Sequence, residues 1–164
     1  MILIRLKAFL GKCLIVAIIF LCDRVSKIYI INFSETENIS NIYINSYLNL
    51  NLIWNGGIAF GLLSYENNII YNIITGIIIL VSFAILIMII KSNDIRKYFL
   101  LFIMGGATGN IFDRIYYSAV PDFIDFHIKD FHWFIFNIAD IFITMGVICL
   151  IVAELLLDKK NDDE

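Results

Sequence analysis

Charge is what this chain has least of. Only 16% of its 164 residues are Asp, Glu, Lys or Arg, while 60% are hydrophobic; a soluble domain carries about 25% charged and about 45–50% apolar residues. That shortage excludes a soluble enzyme hung on an anchor, and it leaves no basic surface for nucleic acid. Cysteine is sparse too. Cys13, Cys22 and Cys149 make an odd number with no CxxC pair, so neither a disulfide frame nor a thiolate metal site is indicated. All three lie in apolar runs and read as small buried apolar residues. The two histidines, His127 and His132, belong to no HExxH motif and no third ligand stands out beside them. They are expected to face solvent or an interface rather than a metal. The single proline, Pro121, falls between apolar runs, where it breaks no span.

What is abundant is apolar sequence in spans. A basic start with Arg5, Lys7 and Lys12 precedes an apolar run over 13–31 that Asp23, Arg24 and Lys27 interrupt. A signal peptide would look similar, but the bulky Phe20 and Leu21 before Cys22 do not suit a cleavage site, so the run is read as a retained span. A second span, over 69–90, has no charge in 22 residues, enough at about 1.5 Å per residue to cross a hydrocarbon core of about 30 Å. A third runs over 98–117 and contains Gly105 and Gly109 in a GxxxG pattern that lets another helix approach closely. An amphipathic loop follows from Ser118 to Trp133, and a fourth span covers 134–157. Residues 32–68 contain no Lys or Arg, and within them Ile42, Ile44, Leu48, Leu50, Leu52 and Trp54 alternate with polar neighbours. That period of two predicts strands with one greasy face, a small sheet at the membrane surface. The chain is thus expected to be one integral membrane domain over 1–164. Eight of its 12 basic residues lie in the start, the 91–97 loop and the tail, which places both termini in the cytoplasm.

Inside these spans sit Asp23, Lys27, Asp113, Arg114 and Asp140. Each costs about 2.5–3.5 kcal/mol at a helix centre facing lipid, so they are expected to face one another or a wet cavity. Asp23 and Lys27 are spaced i, i+4 to pair along one face; Asn110, Asp113 and Arg114 share another; Asn137 and Asp140 are one turn apart. Asp113 with Arg114 fits a purely structural ion pair as well as a site, and Asp23 with Lys27 fits a helix lock. A fourth helix entering at Phe134 would carry Asp140 about 9 Å below its outer end, and Arg114 would lie about 24 Å up the third helix. Asp122 follows just beyond that helix. Asp122, Asp140 and Arg114 are therefore expected to converge at the outer edge of the bilayer, the first two as a candidate carboxylate pair. Two close carboxylates cannot both ionise easily. One can take a proton from an attacking water while the other donates to the developing oxyanion, with no cofactor and no metal required. Asp125 is a rival for Asp122, and composition does not choose between them. Glu154, near the cytoplasmic end, is expected to snorkel.

The blocks DRVSK (23–27), NGGIAF (55–60), GGATGNIFDR (105–114), VPDF (120–123) and FNIAD (136–140), in that order on a four-span chain, resemble the lipoprotein signal peptidase (signal peptidase II) family along essentially its whole length. The resemblance implies four transmembrane helices, a surface β-cradle for which the 45–54 stretch is the counterpart, and a short mobile lid helix within 60–68. It implies cleavage of diacylglyceryl-modified bacterial prolipoproteins before the lipidated cysteine, and inhibition by globomycin; the protein is separately expected to lie in the cell inner membrane, in contact with membrane lipid, as a monomer. It implies that the catalytic aspartates are Asp122 and Asp140, which decides against Asp125. Asp23, Lys27, Asn55, Gly57, Ala59, Gly105, Gly109, Asn110, Asp113, Arg114 and Asn137 would bind substrate or support the site. Two positions depart from the family: Arg24, where Gln is frequent, and Pro121, where Val is common. Arg24 is next to the Asp23–Lys27 face and is expected to meet lipid head groups; Pro121 fixes the backbone before Asp122.

Two other classes fit parts of the pattern. A proton-coupled transporter uses intramembrane charges, but it should show a polar track across the bilayer, often with repeated halves; the second span is uncharged and no repeat is visible. A structural assembly subunit would tolerate loss of Asp140. A presenilin-type protease is disfavoured because the GxGD motif is missing.

Overall fold

The computed structural model describes residues 2–57 and 68–162. Helix α1 spans Ile2–Glu37, strands β1 and β2 span Asn41–Asn45 and Leu48–Asn55, helices α2 and α3 span Asn68–Lys91 and Arg96–Tyr117, strands β3 and β4 span Val120–Ile128 and Phe131–Phe136, and helix α4 spans Ile138–Asp162. The four strands form one antiparallel sheet in the order β1-β2-β3-β4. The β2–β3 pair, which aligns Ile53 with Asp122 and Asn55 with Val120, is closed by the α2–α3 hairpin. The site hangs on that long-range pairing.

The helical part is polar inside and apolar outside. Lys27, Asp23 and Asp113 are fully buried, while Leu80 and Ile90 are 69% and 72% exposed. In water such a surface would be ruinous; in lipid it is the favourable arrangement, since backbone groups are satisfied within helices and apolar side chains meet acyl chains. Among the described residues, 69–91 and 138–156 are long and apolar enough to cross a membrane. α1 and α3 carry the charges instead. Helix α3 is the hub, in contact with α1, α2 and α4. Its small residues allow this: a Cβ on Gly105 would lie 2.8 Å from Ile19 of α1, and one on Gly106 would collide with the Ala139 carbonyl and Ile143 of α4. Ile89, Leu100, Leu101, Ile103 and Met104 form an apolar cluster toward the α3 start.

Several expectations need revision. The cysteines are not buried: Cys13 and Cys22 are exposed and Cys149 is half-buried, because in an inside-out bundle the apolar surroundings of a small residue lie outside the protein. The 118–133 segment is not a loop but most of a β3–β4 hairpin, so the small sheet expected from the 42–54 alternation extends to four strands. β4 continues to Phe136, which delays α4 to Ile138. Asp140 therefore lies in the first turn of α4 rather than deep within a helix begun at Phe134. The lid expected within 60–68 and the residue Ala59 lie outside the described residues, apart from Asn68, which begins α2.

Candidate active site

The site is built where the sheet meets the ends of α3 and α4. Asn137 is the residue before α4, and its Oδ1 accepts the Asp140 backbone N–H at 3.1 Å while Asp140 Oδ2 accepts the Asn137 N–H at 3.2 Å. This is a capping box, in which two of the helix's unsatisfied donors are met reciprocally. The same Asn137 turns its Nδ2 outward to donate to Asp122 Oδ1 at 2.6 Å. One asparagine thus holds both aspartates. Asn55, at the end of β2, donates from Nδ2 to Asp122 Oδ2 at 2.9 Å, and Asn110 of α3 donates to Asp140 Oδ1 at 2.9 Å. All four carboxylate oxygens of the pair accept a hydrogen bond.

The orientation of each amide is set by a partner that can only donate. Asn55 Oδ1 accepts the Gly57 N–H at 2.9 Å, Asn137 Oδ1 accepts the Asp140 N–H, and Asn110 Oδ1 accepts from Lys27 Nζ at 3.0 Å. An ammonium or a backbone N–H cannot face an amide NH2, so each NH2 is turned toward an aspartate. Asp122 is 5% exposed. Burial pushes its carboxyl up to about 6, the Asp140 charge adds to this, and the Asn55 and Asn137 amides pull the other way.

Beneath the pair lies a buried charge cluster. Lys27 Nζ donates to Asp23 Oδ2 at 2.9 Å, Asp113 Oδ2 at 2.6 Å and Asn110, which uses all three of its protons. The expected Asp23–Lys27 pairing is present. The Asp113–Arg114 pair is not: Asp113 turns to Lys27 and to Arg24, whose Nη2 is 2.5 Å from Asp113 Oδ1 and 3.2 Å from Asp23 Oδ2. Arg24 is thus a buried member of the cluster, stacked over Phe112 at 5.0 Å, and not a head-group contact; its guanidinium reaches Asp113 of α3. Asp23 Oδ1 also accepts the Ala139 N–H at 3.0 Å, so α1 caps α4 one residue before Asp140. Gly109 permits it, since a Cβ there would lie 2.5 Å from Asp23 Oδ2. Arg114 donates instead to the Gly57 carbonyl at 2.6 Å, beneath Tyr71, whose hydroxyl donates to the Arg114 carbonyl at 3.0 Å. Tyr71 had no sequence signal, being one aromatic in an apolar span. Gly105 touches no aspartate; its part is the close approach to α1.

Two clefts reach the pair. One, of about 650 Å³, is lined by Asn55, Asp122, His132, Trp133 and Phe134. The other, of about 440 Å³, is lined by Trp133, Phe134, Phe136, Asp140 and Met145. Trp133 and Phe134 border both. Asp125 does not join them; its carboxylate meets His132 Nδ1 at 2.9 Å. The Glu154 carboxylate is exposed and accepts from Arg96 at 2.7 Å.

Two carboxylates held by one asparagine, Asp122 buried and Asp140 half-buried, at the rim of a bundle with its charges inside, are the equipment of an intramembrane aspartic peptidase. Comparison with known proteins agrees. A family described as Signal peptidase (SPase) II matches residues 15–156, and the chain belongs to that family. It is 52% identical to the lipoprotein signal peptidase of Pelagibacter ubique strain HTCC1062 over 161 residues, covering 98% of this chain and 97% of that one. It is 40% identical to that of Francisella tularensis subsp. novicida strain U112, covering 96% of each. A solved structure described as a bacterial membrane enzyme superposes with a TM-score of 0.70 at 31% identity, covering 92% of this chain and 90% of that chain.

Proposed function

We propose that this protein removes signal peptides from diacylglyceryl-modified prolipoproteins, with Asp122 and Asp140 as its catalytic pair. Membership of the signal peptidase II family supports the reaction, and the bridging of the two acids by Asn137 supports the assignment of residues. The pair holds one proton near neutral pH. The ionised carboxylate takes a proton from water as its oxygen attacks the carbonyl carbon before the lipidated cysteine. The protonated carboxyl donates to the carbonyl oxygen as charge develops there. Collapse of the tetrahedral intermediate breaks the C–N bond, and the cysteine nitrogen leaves with a proton returned from the pair. The peptide backbone would lie where the two clefts meet at Trp133 and Phe134.

The same reading makes 1–164 a single domain with four membrane-spanning helices, both termini on the cytoplasmic side of the cell inner membrane, acting as a monomer among lipids. Asp23, Lys27, Asn110, Asp113 and Asn137 support the pair, and Arg114 holds the Asn55–Gly57 turn. Globomycin is expected to inhibit. The test is a gel-shift assay on a diacylglyceryl-modified prolipoprotein, with and without globomycin. Asp122→Asn and Asp140→Asn should each lower the cleavage rate by about 10²–10⁴-fold while the protein still inserts; normal cleavage by either variant would refute the pair.

A further inference from the structure

The β3–β4 hairpin carries a group of side chains for which peptide hydrolysis has no use. His127 and His132 are direct cross-strand partners, with ring centroids 4.9 Å apart and planes at 21°. Asp125 lies two residues before His127, and the pairing register shifts between them. Such an irregularity re-aims a side chain, and here it brings three groups together: one nitrogen from each imidazole and one Asp125 oxygen all lie within 4.8 Å of one another. Asp125 is 2% exposed and its two oxygens sit 2.9 and 3.0 Å from His132 Nδ1. That contact accounts for His132. It does not account for His127, whose Nδ1 is buried with no hydrogen-bond partner among the described residues. A buried imidazole nitrogen without a partner is costly.

We infer that Asp125, His127 and His132 form a site for a divalent transition-metal ion of the zinc type. Two imidazoles and a carboxylate are a donor set that zinc favours, and three protein ligands leave a fourth position for water; the exposed His132 side gives that position access to solvent. Zinc–nitrogen and zinc–oxygen bonds of about 2.0–2.2 Å set ligand atoms roughly 3.3 Å apart. The Asp125–His132 contact then opens by a few tenths of an ångström as the ion replaces the proton between them, and His127 closes in to satisfy its idle nitrogen. The ion would fasten β3 to β4, the strand whose Phe131–Ile135 stretch walls the cleft that holds Asp122. Asp122 and Asp140 are not ligands, so the inference stands apart from the catalytic assignment.

The test uses the full chain purified in detergent without a polyhistidine tag. After incubation with zinc chloride and desalting, the wild type and Asp122→Asn should each retain about one zinc per chain, and the melting temperature should rise with zinc but not with magnesium. His127→Phe, which keeps an aromatic ring beside His132, and Asp125→Asn should each weaken binding at least about tenfold. Cobalt bound to the wild type should give the intense visible bands of a four-coordinate nitrogen–oxygen site. No retained zinc, equal retention by His127→Phe, or a cobalt spectrum with thiolate charge-transfer bands from the cysteines would overturn the site. The cobalt spectrum, taken on the wild type, decides the matter even if a variant fails to fold.

Discussion

Lys27 Nζ donates to Asn110 Oδ1 at 3.0 Å, and by doing so it aims the Asn110 NH2 at Asp140. A cation on α1 thereby sets a hydrogen bond to a carboxylate on α4 through an amide on α3, without touching that carboxylate. A hydrogen bond to a charged group is worth about 1.5–3 kcal/mol. Asn110→Ala should therefore slow cleavage by about 10–150-fold, and by leaving one buried Lys27 proton unpaired it should also lower the melting temperature. Lys27→Met should do more, because it strands Asp23 and Asp113 in the interior; breaking a buried pair costs about 3–5 kcal/mol. Thermal unfolding in detergent alongside the cleavage assay separates the two effects. A Lys27→Met protein as stable as wild type would remove the charge cluster from this account.

The carboxyl of Asp122, held up at about 6 by burial and by its neighbour Asp140, sets two pH dependences of opposite sense. For catalysis, the pair must keep one ionised carboxylate, so kcat/KM should fall as pH drops through about 6. For stability the sign reverses. The folded protein holds this proton more tightly than the unfolded chain, where the group titrates near 3.8. The stabilising contribution is whole below about pH 4 and is lost as pH rises through about 6, on the order of 3 kcal/mol. Asp122→Asn should flatten that loss while cleaving far more slowly; its own NH2 would face the NH2 of Asn55 or Asn137, so the slope of melting temperature against pH, and not its height, is the readout. A variant whose melting temperature falls as steeply as that of the wild type, in parallel scans from pH 4 to 8, would contradict it.

Gly109 is a packing requirement with a catalytic consequence. An added methyl would press on Asp23 Oδ2 and meet the Ala139 Cβ at 3.6 Å, pulling Asp23 off the Ala139 N–H and tilting the first turn of α4. Overpacking of this kind costs about 1–3 kcal/mol, so Gly109→Ala should lower both melting temperature and cleavage. Gly76→Ala is the control. Nothing lies within 4 Å of its added methyl, and alanine is the better helix former by about 0.5–1 kcal/mol, so melting should hold or rise and cleavage should be unchanged.

The pattern of costs explains which parts were legible in the sequence. Asp23, Lys27, Asp113 and Asp140 stood out because charge in an apolar run demands partners, and helical spacing alone paired Asp23 with Lys27. The β1–β2 hairpin showed in its alternation, Ile42 to Trp54. The β3–β4 hairpin did not, because buried residues such as Phe123 and Asp125 and exposed ones such as Phe126 and Trp133 blur the period of two. With β4 hidden, apolarity alone puts the α4 start at Phe134 rather than Ile138 and Asp140 too deep. The capping box at Asn137 and Asp140 is written in the sequence as Asn-x-x-Asp, a spacing that helical periodicity alone reads as a shared face. Arg24 and Asp113 failed for another reason. Adjacent residues suggested Asp113 with Arg114, whereas a guanidinium on a long stem reaches across helices, and no spacing rule within one helix records that.

Arg24 therefore supplies the sharpest test of the cluster. Asp23 and Asp113 bring two negative charges to the interior, and Lys27 and Arg24 balance them, with Arg24 touching both acids. Arg24→Gln would leave one buried carboxylate uncompensated, a change expected to cost about 3–5 kcal/mol and to lower the melting temperature sharply. Asp113→Asn alone leaves an excess positive charge and should also destabilise. Combined, the two substitutions restore neutrality, so the double variant should be more stable than the sum of the single effects predicts, by on the order of 1–3 kcal/mol, as coupled neighbours are. The four proteins compared by thermal unfolding form a complete cycle. Strict additivity would mean that Arg24 does not share its charge with Asp113, and its place would then be the lipid surface to which its position beside the Asp23–Lys27 face first pointed.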